Sequence, residues 1–342
     1  MSIALDLGSS RLKSLRYEGN RLLSRSCRSR YAVIENAESQ RMLLNHMNIP
    51  HAISGESLIV LGDHAADFSR LFLTPCLSLL PQGKVPQNSP AARQITASLV
   101  ESLLPEPKTK SELCCVTFPN VPDEEHQQGS PEMEFFTRLI RLQGYEPLVL
   151  KSSMAVVLAE LAECSFMGIG INMGSSCCAV SVTHLGNEIV SCSIAQGGDW
   201  IDEQFANQSE EYTLDAKGNR YPDLLGVSCW KDSLTDSIVE TTTQREKLLC
   251  KITRKLVSNV IHQLAGMIER TSAIGELPRS LGMAVCGEIA RIPGFDRLFR
   301  EELQKTPLPI DQSKLSVGNE SDFSVARGCL IHAELESQSR AA

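Results

Sequence analysis

The sequence predicts an α/β fold of two lobes built from one duplicated unit, and three observations carry that expectation. The hexapeptide "LDLGSS", starting at Leu5, returns as "INMGSS" starting at Ile171. Each copy closes one apolar strand and opens a second, and a Gly-Asn pair (Gly19-Asn20, then Gly186-Asn187) turns the chain into a third. After each meander, strand and helix patterns alternate, as in α/β architectures. Laid over one another, the copies match Asp6 to Asn172, Gly8 to Gly174, Ser9 to Ser175 and Ser10 to Ser176.

Taken in order, "SIALDLG" and "RLKSLRYEGNRLLSRS" read as three strands, followed by strands at "SLIVLG" and "LCCVTFP". The second of these is nearly continuous in apolar character, which suits a central strand. In the run "RLFLTPCLSLLP" (70–81), Pro75 and Pro81 favour a buried, interrupted strand over a membrane-touching loop. Ser130-Pro131 and Gly144 bracket a helix over "EMEFFTRLIRLQ", with Ser as the cap and Pro at the first position. The strand "EPLVL" and the helix "SMAVVLAELAE" complete the first half.

In the second half, Leu249, Ile252, Leu256, Val260, Leu264 and Ile268 fall on one face of a long amphipathic helix. The strand "LGMAVCG", the helix "FDRLFREELQK" and the terminal helical pattern "DFSVARGCLIHAELESQ" follow. The lobes are expected at 1–165 and 166–321, with a helix over 322–338 packing back on the first. A polar, irregular insert is expected at 203–244, and "SQSRAA" reads as a frayed tail.

The 342 residues are 42% hydrophobic and 22% charged, enough for two ordinary cores. A formal charge of −8 and the lack of any Lys/Arg run argue against a nucleic-acid partner. The twelve cysteines lie in apolar segments and read as buried free thiols, while the seven scattered histidines complete no zinc spacing. No stretch approaches the roughly 20 apolar residues of a membrane span, so a cytoplasmic protein is expected.

Gly-Ser turns between strands point backbone N–H groups and hydroxyls into one concavity, a shape suited to phosphate oxygens. Two of them facing each other would clamp a polyphosphate from both sides. With these residues in place the sequence resembles the actin-like ATPase superfamily of actin, MreB, FtsA, the heat-shock chaperone ATPases and the sugar kinases. "IALDLGSSRLK" resembles its first phosphate loop, and "INMGSSCCAVSV" its second. "LGMAVCGEIARIPGFDRLFREEL" resembles its adenosine motif, and "SCSIAQGGDWIDEQF" the segment after its second hairpin. Similarity is nearest to the MreB and chaperone branch and covers most of the chain outside 20–55 and 203–244.

The resemblance implies an actin-like, ribonuclease H-like fold with ATP in the cleft between the lobes. Asp6, Gly8, Ser9, Ser10, Lys13, Gly174, Ser175, Ser176, Gly197, Gly198, Gly287 and Glu288 would contact nucleotide, and Asp6 would hold Mg²⁺ through water. Lys13 reads either as a phosphate partner or as a solvated strand lysine. Three departures fall on the chemistry. Asn172 stands where the family has an Asp near the transferred phosphate, and a neutral amide neither draws a hard cation nor takes a proton. Ser152 stands where a Glu orients the attacking water.

Glu288 replaces the second Gly of the adenosine motif. A carboxylate about 5 Å from a phosphate charge costs roughly 3 kcal/mol at an effective dielectric near 20, about a hundredfold in affinity. The expectation is therefore a bacterial MreB-like protein for cytoskeletal scaffolding or assembly, with weak or no ATP hydrolysis, self-assembling into filaments or binding a protein partner. An active Mg²⁺-dependent ATPase using Asp199 or Asp202, a non-nucleotide-binding adapter and a sugar or acid kinase are the alternatives.

Overall fold

The computed structural model describes residues 2–109, 112–119, 130–214, 217–271, 281–318 and 322–341. The chain runs β1 (Ser2–Leu7), β2 (Arg11–Glu18), β3 (Arg21–Arg28), β4 (Arg30–Glu35), α1 (Glu38–His46), β5 (His51–Ser54) and β6 (Ser57–Leu61). It continues through α2 (Ala65–Leu71), β7 (Cys76–Ser78), α3 (Pro90–Leu103), β8 (Leu113–Thr117), α4 (Pro131–Leu142), β9 (Glu146–Val149) and α5 (Ser152–Glu160). The second half holds β10 (Gly168–Met173), β11 (Cys178–His184), β12 (Asn187–Ile194), α6 (Gly198–Ser209), β13 (Tyr212–Leu214), β14 (Arg220–Pro222) and α7 (Leu224–Asp232). It closes with α8 (Gln244–Arg270), β15 (Leu281–Cys286), α9 (Phe295–Leu303), β16 (Ile310–Val317) and α10 (Ser324–Ala341).

Two five-stranded sheets share one topology. The first is ordered β3-β2-β1-β8-β9 and the second β12-β11-β10-β15-β16. In each, an antiparallel meander is extended by two parallel strands. Asp6 pairs with Lys13 and Thr117, and Asn172 pairs with Ala179 and Cys286, so both occupy the same place in their sheets. A smaller sheet, β5-β6-β4-β7, carries α1 and α2 on its own apolar cluster around Leu44, Leu58 and Phe68.

The lobes are joined by an exchange of helices. α5, encoded in the first half, packs on β10, β11 and β15, while α10, encoded last, packs on β1, β2 and β8. The two helices cross where Gly328 faces Ala155, so closely that a Cβ on Gly328 would overlap the Ala155 carbonyl. Ala4, Cys115, Ala155, Val157, Cys286, Cys329 and Ala333 form one buried cluster between the sheets.

Most of the expected elements are present, and Ser130 caps α4 by accepting a hydrogen bond from the Met133 N–H at 3.1 Å. The run 70–81 differs from its expected buried strand. It finishes α2, pauses and forms only three residues of β7, leaving Leu71, Leu73 and Leu77 exposed while Leu79 and Leu80 are buried. Leu73, at φ +50°, and Pro75 interrupt the backbone, so the leucines cannot alternate onto one face.

The described residues of 203–244 hold the end of α6, the antiparallel pair β13–β14 and α7. The tail is helical to Ala341, where Arg340 reaches Glu146 at 2.7 Å and Glu336 at 3.0 Å. All twelve cysteines are free, although only five are fully buried. Among the described residues no helix is long and apolar enough to cross a membrane.

Candidate functional site

The two serine turns are built alike. The Gly8 N–H donates to Arg11 O at 3.0 Å, and the Gly174 N–H donates to Cys177 O at 3.1 Å. The second turn rests on the start of α6, whose Gly198 and Asp199 N–H groups donate to Gly174 O and Ser175 O at 3.0 and 2.9 Å. Across the cleft, Ser9 Oγ donates to Ser176 Oγ at 2.9 Å, so the turns touch each other directly.

Beside this contact lies a polar cavity of about 240 Å³. Of the residues singled out from sequence, Asp6, Gly8, Ser9, Ser10, Lys13, Asn172, Gly174, Ser175, Gly287 and Glu288 line it. Ser152, Ser176, Gly197 and Gly198 do not line it. Ser176 is engaged by Ser9, and the Gly197-Gly198 pair sits behind the second turn, where it buttresses that turn through the backbone. Ser152 is the buried first residue of α5, and Lys151 holds the cap position.

Gly287 has φ +109°, and a Cβ there would overlap Met173 O and stand 2.7 Å from Asn172 Oδ1. The bare backbone at this point is what lets β15 end against β10.

Residues without a strong sequence signal bridge the cleft, and of these Arg28 and Asp232 line the cavity. Arg28, at the end of β3, donates to Asp232 Oδ2 at 2.5 Å across the cleft, and Arg30 donates to Ser228 Oγ at 3.2 Å. Asp232 and Ser228 belong to α7, which is held by Phe205 against Trp230 at 5.0 Å and by the Arg245 guanidinium 4.0 Å from the Trp230 ring. Nothing in 203–244 announced this helix as a cleft wall, because its role depends on what it packs against. Asp322 and Arg291 also line the cavity, and their stretches were legible only as parts of the closing helix and adenosine motifs.

Electrostatically the cavity is self-compensated. Its basic residues are Arg11, Lys13, Arg28 and Arg291, and its acidic ones Asp6, Asp232, Glu288 and Asp322. Burial pushes the Asp6 carboxyl above its ordinary value, against the pull of Lys13 and of the Thr117 hydroxyl, which donates to Asp6 Oδ1 at 3.0 Å. Lys13 is largely enclosed rather than a solvated strand lysine, and it lines the cavity. Its Nζ donates to Asp322 O at 2.5 Å and to Asp322 Oδ1 at 3.3 Å. Glu288 lines the cavity, and its buried Oε2 takes no hydrogen bond. Its charge faces Arg28 and Lys231.

Neither of the other nearby acids supplies a carboxylate to the cavity. Asp199 accepts a hydrogen bond from Ser175 Oγ at 2.6 Å, and Asp202 is buried against Lys231 at 2.5 Å. Burial pushes Asp202 up to about 7, with Lys231 opposing and Asp199 and Glu288 adding to the rise.

In this arrangement a nucleotide would meet serine turns already in contact with each other, beside a cavity of about 240 Å³. Mg²⁺ is usually held by one or two carboxylates together with phosphates and water, and of the pair Asp6 and Asn172 only Asp6 would supply one. No cluster of three or more His, Cys, Asp or Glu capable of holding a metal occurs among the described residues.

Two sheets of one topology, joined by exchanged helices and bearing paired serine turns over a polar cleft, define the actin-like class. Solved structures agree. MamK in its double helical filament matches with a TM-score of 0.68 and 14% identity over 98% of this chain and 99% of that one. MreB5 of Spiroplasma citri bound to AMPPNP matches with a TM-score of 0.65 and 16% identity over 99% and 96%. Its ADP-bound form gives 0.63 and 17% over the same shares. The chain belongs to the Volactin family, whose model matches residues 1–333. No curated protein matches the sequence. At these identities the solved structures speak for the fold alone.

Proposed function

We propose that this protein is an actin-like scaffolding or assembly protein whose interlobe cleft does not hydrolyse ATP. The observation that carries the reading is Asn172, an amide at the position in the second sheet that Asp6 holds in the first. Hydrolysis needs a group that orients and deprotonates water beside the transferred phosphate. Asn172 cannot take the proton, Ser152 lies outside the cavity, and Asp199 and Asp202 are committed to Ser175 and Lys231.

An active ATPase built on Asp199 or Asp202 is therefore disfavoured. A sugar or acid kinase lacks a carboxylate base for an acceptor hydroxyl in the same way. Self-assembly is proposed from the likeness to MamK, which is described as a filament. Head-to-tail stacking is the heterologous contact that produces open filaments. ATP or ADP, the latter bound by the MreB5 relative, would have to part Ser9 from Ser176 before entering.

Titration with labelled ATP, with and without Mg²⁺, alongside phosphate release and pelleting tests this reading. The expected result is sedimentable assembly with no Mg²⁺-dependent phosphate release. Turnover that requires Mg²⁺ would overturn the assignment of an inactive cleft, and a protein that stays monomeric at every concentration would overturn the scaffold.

A further inference from the structure

Asp322 stands between cations of both lobes. Its Oδ1 accepts from Arg291 Nη1 at 2.7 Å and from Lys13 Nζ at 3.3 Å, and its main-chain O takes a second bond from Lys13. Lys13 comes from β2 of the first sheet, Arg291 follows β15 of the second, and all three residues line the cavity. Lys13 is further enclosed by the Phe323 ring, 5.8 Å from its Nζ. The remaining cations of the cavity are engaged as well. Arg28 bonds Asp232, and Arg11 Nη1 lies 3.6 Å from Asp63.

A polyphosphate in this cleft would need these same cations, because phosphate oxygens are held by charge-assisted hydrogen bonds from Lys and Arg. The carboxylate has already made those bonds. Burial pushes Asp322 up, but Lys13 and Arg291 outweigh it and hold the carboxyl below its ordinary value, so it stays charged in place.

We propose that Asp322 is a built-in anion that occupies the cleft's cations, so that the site takes a polyphosphate only by displacing this carboxylate. The inference rests on reading the cleft as a nucleotide-type site, and it adds how that site is regulated. Asp322 lies just before α10, the helix that packs on the first sheet and crosses α5 on the second. Displacing it would release the ionic tie between the lobes and free the start of the helix that joins them.

The test is calorimetric titration of the full chain with inorganic tripolyphosphate. Asp322→Asn should bind at least about tenfold more tightly than wild type, the worth of one charge-assisted hydrogen bond returned to the ligand. Adding Lys13→Gln should abolish the gain. A change below about twofold in Asp322→Asn, or a gain that survives Lys13→Gln, overturns the proposal.

A second comparison keeps Asp322 and so does not depend on that variant folding. Because a bound polyphosphate must take both cations over from the carboxylate, Lys13→Gln/Arg291→Gln should weaken wild-type tripolyphosphate binding by at least about tenfold, and a change below about twofold overturns the proposal. Tripolyphosphate binding requires neither hydrolysis nor assembly, so phosphate release and pelleting on the same samples report separately on the proposed function.

Discussion

Ser9 Oγ and Ser176 Oγ lie 2.9 Å apart although 167 residues separate them in the chain. The two turns that would flank a phosphate chain are in contact with each other. Around that contact, Arg28 with Asp232 and Lys13 with Asp322 and Arg291 tie the lobes by charge. The cleft is bridged by its own side chains.

Asn172→Asp should strengthen the Mg²⁺ dependence of tripolyphosphate binding without creating turnover. It restores a second carboxylate opposite Asp6, worth about tenfold through the metal, but leaves Ser152 outside the cavity. Calorimetry with and without Mg²⁺, paired with phosphate release, checks both halves. Turnover in the single variant would mean that another base is in reach.

Asp232→Ala should open the cleft more than it destabilises the fold. The Arg28 and Asp232 side chains are 20% and 34% exposed, and such pairs contribute up to about 1 kcal/mol. The expected signs are a small loss in urea stability and a larger radius of gyration by X-ray scattering. An unchanged radius would remove the pair's role as a latch.

Gly287→Ala should cost about 2–4 kcal/mol, because the residue sits at φ +109° with Met173 O where a methyl would go. Gly19→Ala makes the control. It also has positive φ but nothing lies within 4 Å, so about 1–2 kcal/mol is expected from the backbone alone. Equal losses in equilibrium denaturation would place the cost at Gly287 in its dihedral rather than in the packing of β15 on β10.

Asp202 should make stability fall as pH rises. Its carboxyl is near 3.8 when unfolded and about 7 when folded, so the folded chain holds the extra proton between these values. Protons bound more tightly by the folded state stabilise it at the acid end, and the contribution is lost as pH climbs through the folded value. Urea melts at either end of that window should show the decline in wild type and a flatter profile in Asp202→Asn. A wild-type profile that rises across the window instead, with no flattening in the variant, would mean that Lys231 holds Asp202 ionised throughout.

Much of the fold was legible because local signals agreed with the global one. The duplicated turn, the Gly-Asn hairpins, the Ser130-Pro131 helix start and the apolar face of α8 are short-range patterns, and sheets of matching topology followed from them. The run 70–81 was misread because its apolar composition resembles a core strand and its prolines only mark an interruption, whereas the positive φ at Leu73 is a property of the folded backbone. Helix α7 was unreadable since its residues acquire a role only when Trp230 packs under Arg245 and Phe205.

The sequence by itself determined the repeat, the placement of Asp6 and Asn172 as counterparts, and the presence of an amide rather than a carboxylate at the second turn. Those are covalent facts that register alone carries into space. Only the tertiary structure decided that Ser152 lies outside the cavity, that Arg28 meets Asp232, and that Asp322 claims Lys13 and Arg291. Each of these joins segments far apart in the chain, and side-chain electrostatics acts over a few ångströms of space whatever the separation in sequence.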